Sequence, residues 1–301
     1  MRRDPTWLPP GNLEIAHRLD GVLRRMADPD GSNRWLRHRW SRLANELRED
    51  LHDLFSFPPG FVAICLGAGK RNGLSFPFLI GLMGAGRVEA IEPEPLDPDE
   101  EWRLLQGLAE TALHALAGES GVAGLDTAPE ALSRFVHLGP LFRGESVAQS
   151  LTSALVWKRG TAESPDLPSE SVDLVTSRSV MEHVANPADA YKAMARALRP
   201  GGVLHHDIDF TAHDADQFAF YRRPQVAPGG ALDGLNEMRL SDHVAILRGL
   251  ELEVTVKRQQ RNPGTIDRTT LAPRFASYED ADLLTTRAVL VARKGSPIVR
   301  A

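Results

Sequence analysis

The sequence predicts an α/β fold, with a mostly parallel sheet covered by helices. Three observations predict it. Residues 171–204, SVDLVTSRSVMEHVANPADAYKAMARALRPGGVL, read as strand, polar loop, helix, tight Gly turn and strand. Such a unit joins parallel neighbours, because parallel strands need a long crossover. An apolar run from Phe61 to Leu66 passes directly into the Gly-rich LGAGKRNG. A further run from Arg87 to Ile91 ends on an acid, Glu92.

Each element has its own signal. Residues 12–27 and 33–55 are patterned as helices. In the second, Trp35, Leu36, Trp40, Leu43, Leu47, Leu51 and Leu54 form an apolar stripe between charged residues. Phe57-Pro58-Pro59-Gly60 breaks it. A strand over Phe61–Leu66, a short apolar helix over Phe76–Met83 and a strand over Arg87–Ile91 follow. Pro93, Pro95 and Pro98 prevent continuation. Residues 97–153 read as a mainly helical insertion, with Trp102, Leu105, Leu108, Ala112 and Leu116 on one helix face. Short strands are expected at Leu155–Lys158 and Val172–Thr176. Asn186 suits a helix cap, with Pro187 and Asp189 in the first turn. Tyr191, Met194, Ala195 and Leu198 recur at helical spacing, and Pro200-Gly201-Gly202 stops the helix. A fifth strand spans Val203–Ile208. Residues 210–238 look irregular, Ser241–Leu250 helical, and Leu252–Lys257 extended. A last strand is expected near Leu284–Ala292.

Composition bounds the function. With 301 residues, the chain holds one large α/β domain with additions or two smaller ones. Segments 1–57 and 58–301 are read as an N-terminal helical cap or lid and the main domain. A net charge of −5 gives no reason to expect nucleic-acid binding. The single cysteine, Cys65, excludes an intrachain disulfide and a Cys-rich zinc site. No apolar run reaches membrane-spanning length, and the N-terminus lacks the apolar core of a signal peptide. The expectation is a cytoplasmic protein acting on a small molecule, with its oligomeric state open.

Ser171, Asp173, Leu174 and Val175, then Ser177, Glu182 and His183, then Leu198, Pro200, Gly201 and Gly202 appear in an order resembling the class I S-adenosylmethionine (SAM)-dependent methyltransferases. The pattern there is S-x-D-L-V, S-x-x-x-E-H and L-x-P-G-G. The resemblance implies a Rossmann-like, doubly wound, seven-stranded sheet whose last strand is antiparallel. A narrower likeness is to bacterial methyltransferases associated with surface-polysaccharide gene clusters. Their H-x-I-D-L-x-x-H is matched by His206, Ile208, Asp209 and His213, with Phe210 for Leu. Their N-R-L-R-x-S-D is matched by Asn236, Arg239, Leu240, Ser241 and Asp242.

The cofactor reading starts from the turn. Glycines between a strand and a helix let backbone approach a ligand, and the helix start offers free N–H groups. Leu66, Gly67, Ala68, Gly69 and Gly73 supply that turn. Glu92 is placed to accept hydrogen bonds from a ribose diol. The resemblance adds Thr161, Ala162 and Glu163, in a segment similar to the family's G-D-A-E, together with Ser177 and Arg178. SAM is the implied cofactor and S-adenosylhomocysteine the product. Cys65 stands where many members carry an acid, and Thr161 where they carry an Asp.

Methyl transfer to a hydroxyl also needs a base near the acceptor. His206, oriented by Asp209, is the first candidate and His183 the second. Strand alternation sends His205 and His206 to opposite faces. A His/Asp/His cluster also suits a divalent metal, but its spacing selects none, and the reading taken is metal-free. His213, Tyr221, Arg222 and Arg223 are the substrate-binding candidates, since guanidinium groups beside aromatic rings suit an anionic ring-containing molecule such as a nucleotide sugar. The leading function is a SAM-dependent O-methyltransferase acting on a sugar or sugar-like metabolite. Two other readings stay open: a non-catalytic binding protein of the same fold, and an NAD(P)-dependent oxidoreductase.

Overall fold

The computed structural model describes residues 33–67, 74–93, 98–116, 125–211, 221–222 and 234–295. The expected helix at 12–27 lies outside them. In chain order the elements are α1 (Asn33–Leu51), β1 (Val62–Leu66), α2 (Ser75–Leu82), β2 (Arg87–Glu92), α3 (Pro98–Leu116), α4 (Pro129–Ser133), α5 (Leu138–Arg143), α6 (Val147–Ser150) and β3 (Leu155–Arg159). They continue as β4 (Val172–Arg178), α7 (Pro187–Ala197), β5 (Leu198–Asp209), α8 (Leu240–Gly249), β6 (Leu252–Arg261), α9 (Asp280–Leu283) and β7 (Thr285–Lys294). The strands form one seven-stranded sheet in the order β3-β2-β1-β4-β5-β7-β6. β1, β4 and β5 pair in parallel, and β7 runs antiparallel to both β5 and β6. That is the sheet expected from the sequence. No described helix is long and apolar enough to cross a membrane.

The chain divides into two compact units. The first holds α1 as far as Glu49, α2, β2, α3 to α6 and β3. Its core is apolar, with Phe78 edge-on to Phe135 at 6.4 Å. The insertion is helical as expected, and Ser146 and Gln149 cap α6 reciprocally.

The second unit holds β1, β4, α7, β5, α8, β6, α9, β7 and residues 50–56. β4 is buried over most of its length, with Val172, Leu174 and Val175 as its apolar part. Asp173 explains the aspartate of the S-x-D-L-V run. One of its oxygens, Oδ2, accepts from the Val62 amide at 2.8 Å and from Arg199 at 2.6 Å, tying β1 and β5 to β4. α7 begins as predicted, with the Asn186 side chain accepting from the Asp189 amide and Pro187 opening the helix. Its buried face is Ala190, Tyr191, Met194 and Ala197.

Two strands run longer than predicted. β5 starts at Leu198 and carries Pro200-Gly201-Gly202 within it, as an irregularity in the β4–β5 register. A Cβ on Gly202 would sit 2.9 Å from the Arg199 carbonyl and 3.1 Å from that of Asp173, so the backbones are too close for a side chain. β6 extends to Arg261 because it is the sheet edge. Its last residues, Arg258, Gln259, Gln260 and Arg261, are exposed and polar, with no apolar alternation to read. Between β6 and β7, two 3-10 turns and α9 add a small core of Tyr221, Leu235, Ala272, Phe275 and Leu283.

Candidate active site

The turn after β1 is closely packed against a side chain. Gly67 has φ +71°, and a Cβ there would lie 2.3 Å from Val180 Cγ2 on the loop after β4. Both facts demand glycine. Ala68, Gly69 and Gly73 fall outside the described residues. Cys65 is buried and its thiol is pushed well up by desolvation, so it is a neutral strand residue. Thr161 is exposed and Ala162 buried. Glu163 Oε1 accepts from the Asn186 amide at 3.3 Å, at the entrance to α7. Glu92 is half-buried at the end of β2, in the first unit.

The middle of the second unit holds two hydroxyl–imidazole pairs, side by side and on opposite faces. Thr176 and Ser177 of β4 are in register with His205 and His206 of β5. Thr176 Oγ1 meets His205 Nδ1 at 3.0 Å, and Ser177 Oγ meets His206 Nδ1 at 2.7 Å. On one face, His205 Nε2 lies 3.0 Å from Asp50, which also pairs with Arg258 at 2.8 Å. On the other, the His206 ring is edge-on to Tyr191 of α7 at 5.6 Å. Tyr191 Oη in turn meets His243 Nδ1 of α8 at 2.8 Å. Burial, with the neighbouring His205 and His243 adding to it, lowers the His206 pKa to about 3. His206 is therefore neutral at working pH.

The C-terminal ends of β4 and β5 are different. Ser179, just past β4, sits at φ +50°, a conformation costly for a non-glycine residue, with its amide bonded to the Asp207 carbonyl. Three residues on is Glu182. Its side chain is buried, and neither carboxyl oxygen accepts a hydrogen bond of normal geometry. Its pKa is raised to about 8, mainly by desolvation and further by Asp209 and Asp207, against an opposing pull from the backbone amides of Glu182 and Asp209. Asn236 holds this turn. Its side-chain amide donates to the carbonyls of Met181 and Val184 at 2.6 and 2.9 Å, and its backbone amide donates to that of Glu182 at 2.7 Å. The glutamate of the E-H pair and the asparagine before α8, remote in sequence, thus form one structure. They line a small concavity with Asp209, Phe210, Leu235, Glu237, Met238 and Arg239. Arg239 is fully buried, donating to the carbonyls of Phe210, Asp282 and Thr285, with its guanidinium over the Phe210 and Tyr221 rings.

A family model described as a methyltransferase domain matches residues 106–205. The chain's strand order is that of the Rossmann-like class I methyltransferase fold. Solved structures resembling it include the YcgJ protein of Bacillus subtilis, at 13% identity and TM-score 0.46, covering 84% of this chain and 99% of that one. An S-adenosylmethionine-dependent methyltransferase of Mesorhizobium loti gives 14% and 0.43, covering 82% and 96%. An arsenic(III) S-adenosylmethionine methyltransferase of Chlamydomonas reinhardtii gives 15% and 0.45, covering 86% and 74%. The fold rests on the strand order and not on these likenesses. No curated protein matches the chain.

Several sequence expectations need correction. His206 packs beneath Tyr191 of α7 with its Nδ1 engaged by Ser177, and it does not line the concavity at the ends of β4 and β5. Asp209 does not orient it. Both Asp209 side-chain bonds fall on Oδ1, from the amide and hydroxyl of Thr211. The Ser177 hydroxyl is buried and bonded to His206 Nδ1. Tyr221 is a core residue whose hydroxyl donates to the Leu283 carbonyl, so it is removed from the substrate candidates. His183 is exposed, with Nδ1 3.3 Å from the Gly234 carbonyl. Arg222 is exposed, while His213 and Arg223 lie outside the described residues. Arg178 is partly buried against Asp207 at 3.4 Å. Sequence reasoning missed Glu182 as a site residue. The signal was present, since an acid follows a buried strand in this motif, but the histidine beside it drew the chemical reading.

Proposed function

We propose that this protein transfers a methyl group from SAM to a hydroxyl of a small polar acceptor, a sugar or sugar-like metabolite. The observation that carries the proposal is the Gly67 turn. It leaves β1 at positive φ, and a Cβ there would run into the Val180 side chain on the loop after β4. A glycine turn of this kind between a strand and a helix suits an adenosyl ligand, because it brings backbone N–H groups within reach. The matching methyltransferase domain agrees with it.

SAM supplies an electrophilic methyl group on a sulfonium. Leu66, Gly67, Ala68, Gly69 and Gly73 are proposed to hold the cofactor through backbone groups. Glu92 is proposed to accept from the ribose hydroxyls, and Thr161 and Ala162 to border the adenine. Arg178 contributes charge near the end of β4. His183, exposed beside the same loop, and Arg222, with His213 and Arg223, are proposed to meet the acceptor. The protein's task is alignment: the acceptor oxygen must lie in line with the methyl–sulfur bond while water is kept out.

Thermal unfolding with and without ligand tests the reading. SAM and S-adenosylhomocysteine should raise the melting temperature, because a ligand that binds only the folded state stabilises it. NAD should not. Stabilisation by NAD alone would replace the proposal with the oxidoreductase reading.

A further inference from the structure

We propose that Glu182 is the proton acceptor of this methyl transfer, taking the proton of an acceptor hydroxyl that Asp209 helps to position. The inference rests on the methyltransferase reading and names the group that does its acid–base work. Two observations point to it. The Glu182 carboxyl is buried yet has no side-chain partner and no hydrogen bond of normal geometry, with only the backbone amides of Glu182 and Asp209 nearby. A buried carboxyl left this way is costly unless something else completes it. It also lines the concavity at the ends of β4 and β5, where ligands gather in open α/β sheets. The turn that carries it is locked by three hydrogen bonds from Asn236, so the carboxyl is held in place rather than swung in on a loose loop.

The surrounding charges select the ligand. Asp207 and Asp209 of β5 oppose ionisation of Glu182, and Tyr191 of α7 feels its charge. Glu237 and Arg239 line the concavity from the segment before α8, and each is already engaged: Glu237 with Arg274 at 2.6 Å, Arg239 with backbone carbonyls. An anionic group would meet Glu182 and Asp209, and a cationic one would meet the Arg239 guanidinium. A neutral O–H donor meets neither objection. Asp209 Oδ2 is outside the Thr211 turn and can accept a second hydrogen bond from a polyhydroxylated acceptor.

The step balances. A lone pair of the acceptor oxygen forms the new bond to the methyl carbon. The carbon–sulfur bond breaks with its electron pair staying on sulfur, giving neutral S-adenosylhomocysteine. The O–H proton passes to the Glu182 carboxylate. Sulfonium and carboxylate charges disappear together, and the proton returns to solvent before the next cycle. Burial lifts the Glu182 pKa to about 8, so the carboxylate form grows as pH rises toward and past that value.

The test uses the full-length protein, wild type and Glu182→Gln, with SAM labelled in its methyl group. The probes are neutral sugars and polyols, nucleotide sugars, alkylamines and simple carboxylic acids, each from pH 6 to 10. Label is expected on a hydroxyl probe. The rate should rise about tenfold per pH unit below 8 and level off above it. Glu182→Gln should be slower by about 100-fold or more, with no rising limb and with unchanged affinity for S-adenosylhomocysteine. Equal rates in the two proteins, or label only on amines or carboxylates, or on no probe at all, would overturn the inference. A second measurement needs no acceptor. In a carbon-13 titration of side-chain carboxyls, one glutamate resonance missing from Glu182→Gln should have its midpoint near 8. A midpoint near the ordinary value of about 4.3 would overturn it. Bound S-adenosylhomocysteine with normal Glu182→Gln turnover sinks only this inference. No binding by folded protein sinks the methyltransferase reading itself.

Discussion

Glu182 and Arg239 are both buried, both ionisable, and line the same concavity from different segments. Their surroundings are opposite. The terminal nitrogens of the Arg239 guanidinium donate to carbonyls at the end of β5, in α9 and at the start of β7, and two aromatic faces cover the group, while its Nε has no partner. The Glu182 carboxyl has no side-chain partner and no hydrogen bond of normal geometry, only backbone amides nearby. A buried charge held mainly by backbone carbonyls fixes architecture. A buried charge whose bonds are left incomplete is available to chemistry. Its desolvation cost is evidence of purpose only because a rigid turn holds it there.

The contrast can be broken most sharply at the arginine. Arg239→Ala leaves several buried carbonyls without donors and empties the space beneath Phe210 and Tyr221. It should cost about 3–5 kcal/mol, read as a lower denaturant midpoint. A midpoint close to that of wild type would show that Arg239 is not the anchor. The acid should behave in the reverse sense. Because burial raises the folded-state pKa of Glu182 above its unfolded value, its neutral form favours folding below the unfolded pKa. That contribution is lost as pH rises through about 8. Wild type should therefore lose roughly 2–4 kcal/mol relative to Glu182→Gln between pH 4.5 and 9. Parallel pH–stability curves would place the carboxyl in water.

His206 sharpens the comparison with a third case, a buried base kept neutral. Its folded-state pKa of about 3 lies below the unfolded value, so stability falls as pH drops from 6.5 toward 3. His206→Asn should remove roughly 2–3 kcal/mol of this acid sensitivity while leaving SAM affinity intact. Lost SAM binding in this variant would return His206 to the ligand site. The smallest effect is expected outside this cluster. Glu92→Ala should weaken SAM binding by about tenfold, near 1.4 kcal/mol, in calorimetry. Unchanged affinity would remove Glu92 from the ribose.

Much of the fold was legible because its signals are local. The Asn186 cap, the apolar run of β4 and the Gly-rich turn each specify their element within a few residues. The alternation that separates His205 from His206 also held, with Asp50 on one side and Tyr191 on the other. What the sequence hid was depth. No local pattern says that the His206 end of β5 passes beneath α7, so a histidine suited to base chemistry proved to be core. Tyr221 was hidden similarly, since its partners Phe275 and Leu283 lie more than fifty residues away in a segment with no strong periodicity. Glu182 was readable as a motif letter but not as an unpaired acid. That property depends on Asn236, Asp207 and Asp209 arriving from elsewhere in the chain.

The central claim is tested most directly by calorimetric titration of the wild-type protein with S-adenosylhomocysteine, repeated with Glu182→Gln. The account predicts saturable binding of one ligand per chain, with the same affinity in both proteins. Folded protein that takes up no S-adenosylhomocysteine would contradict it.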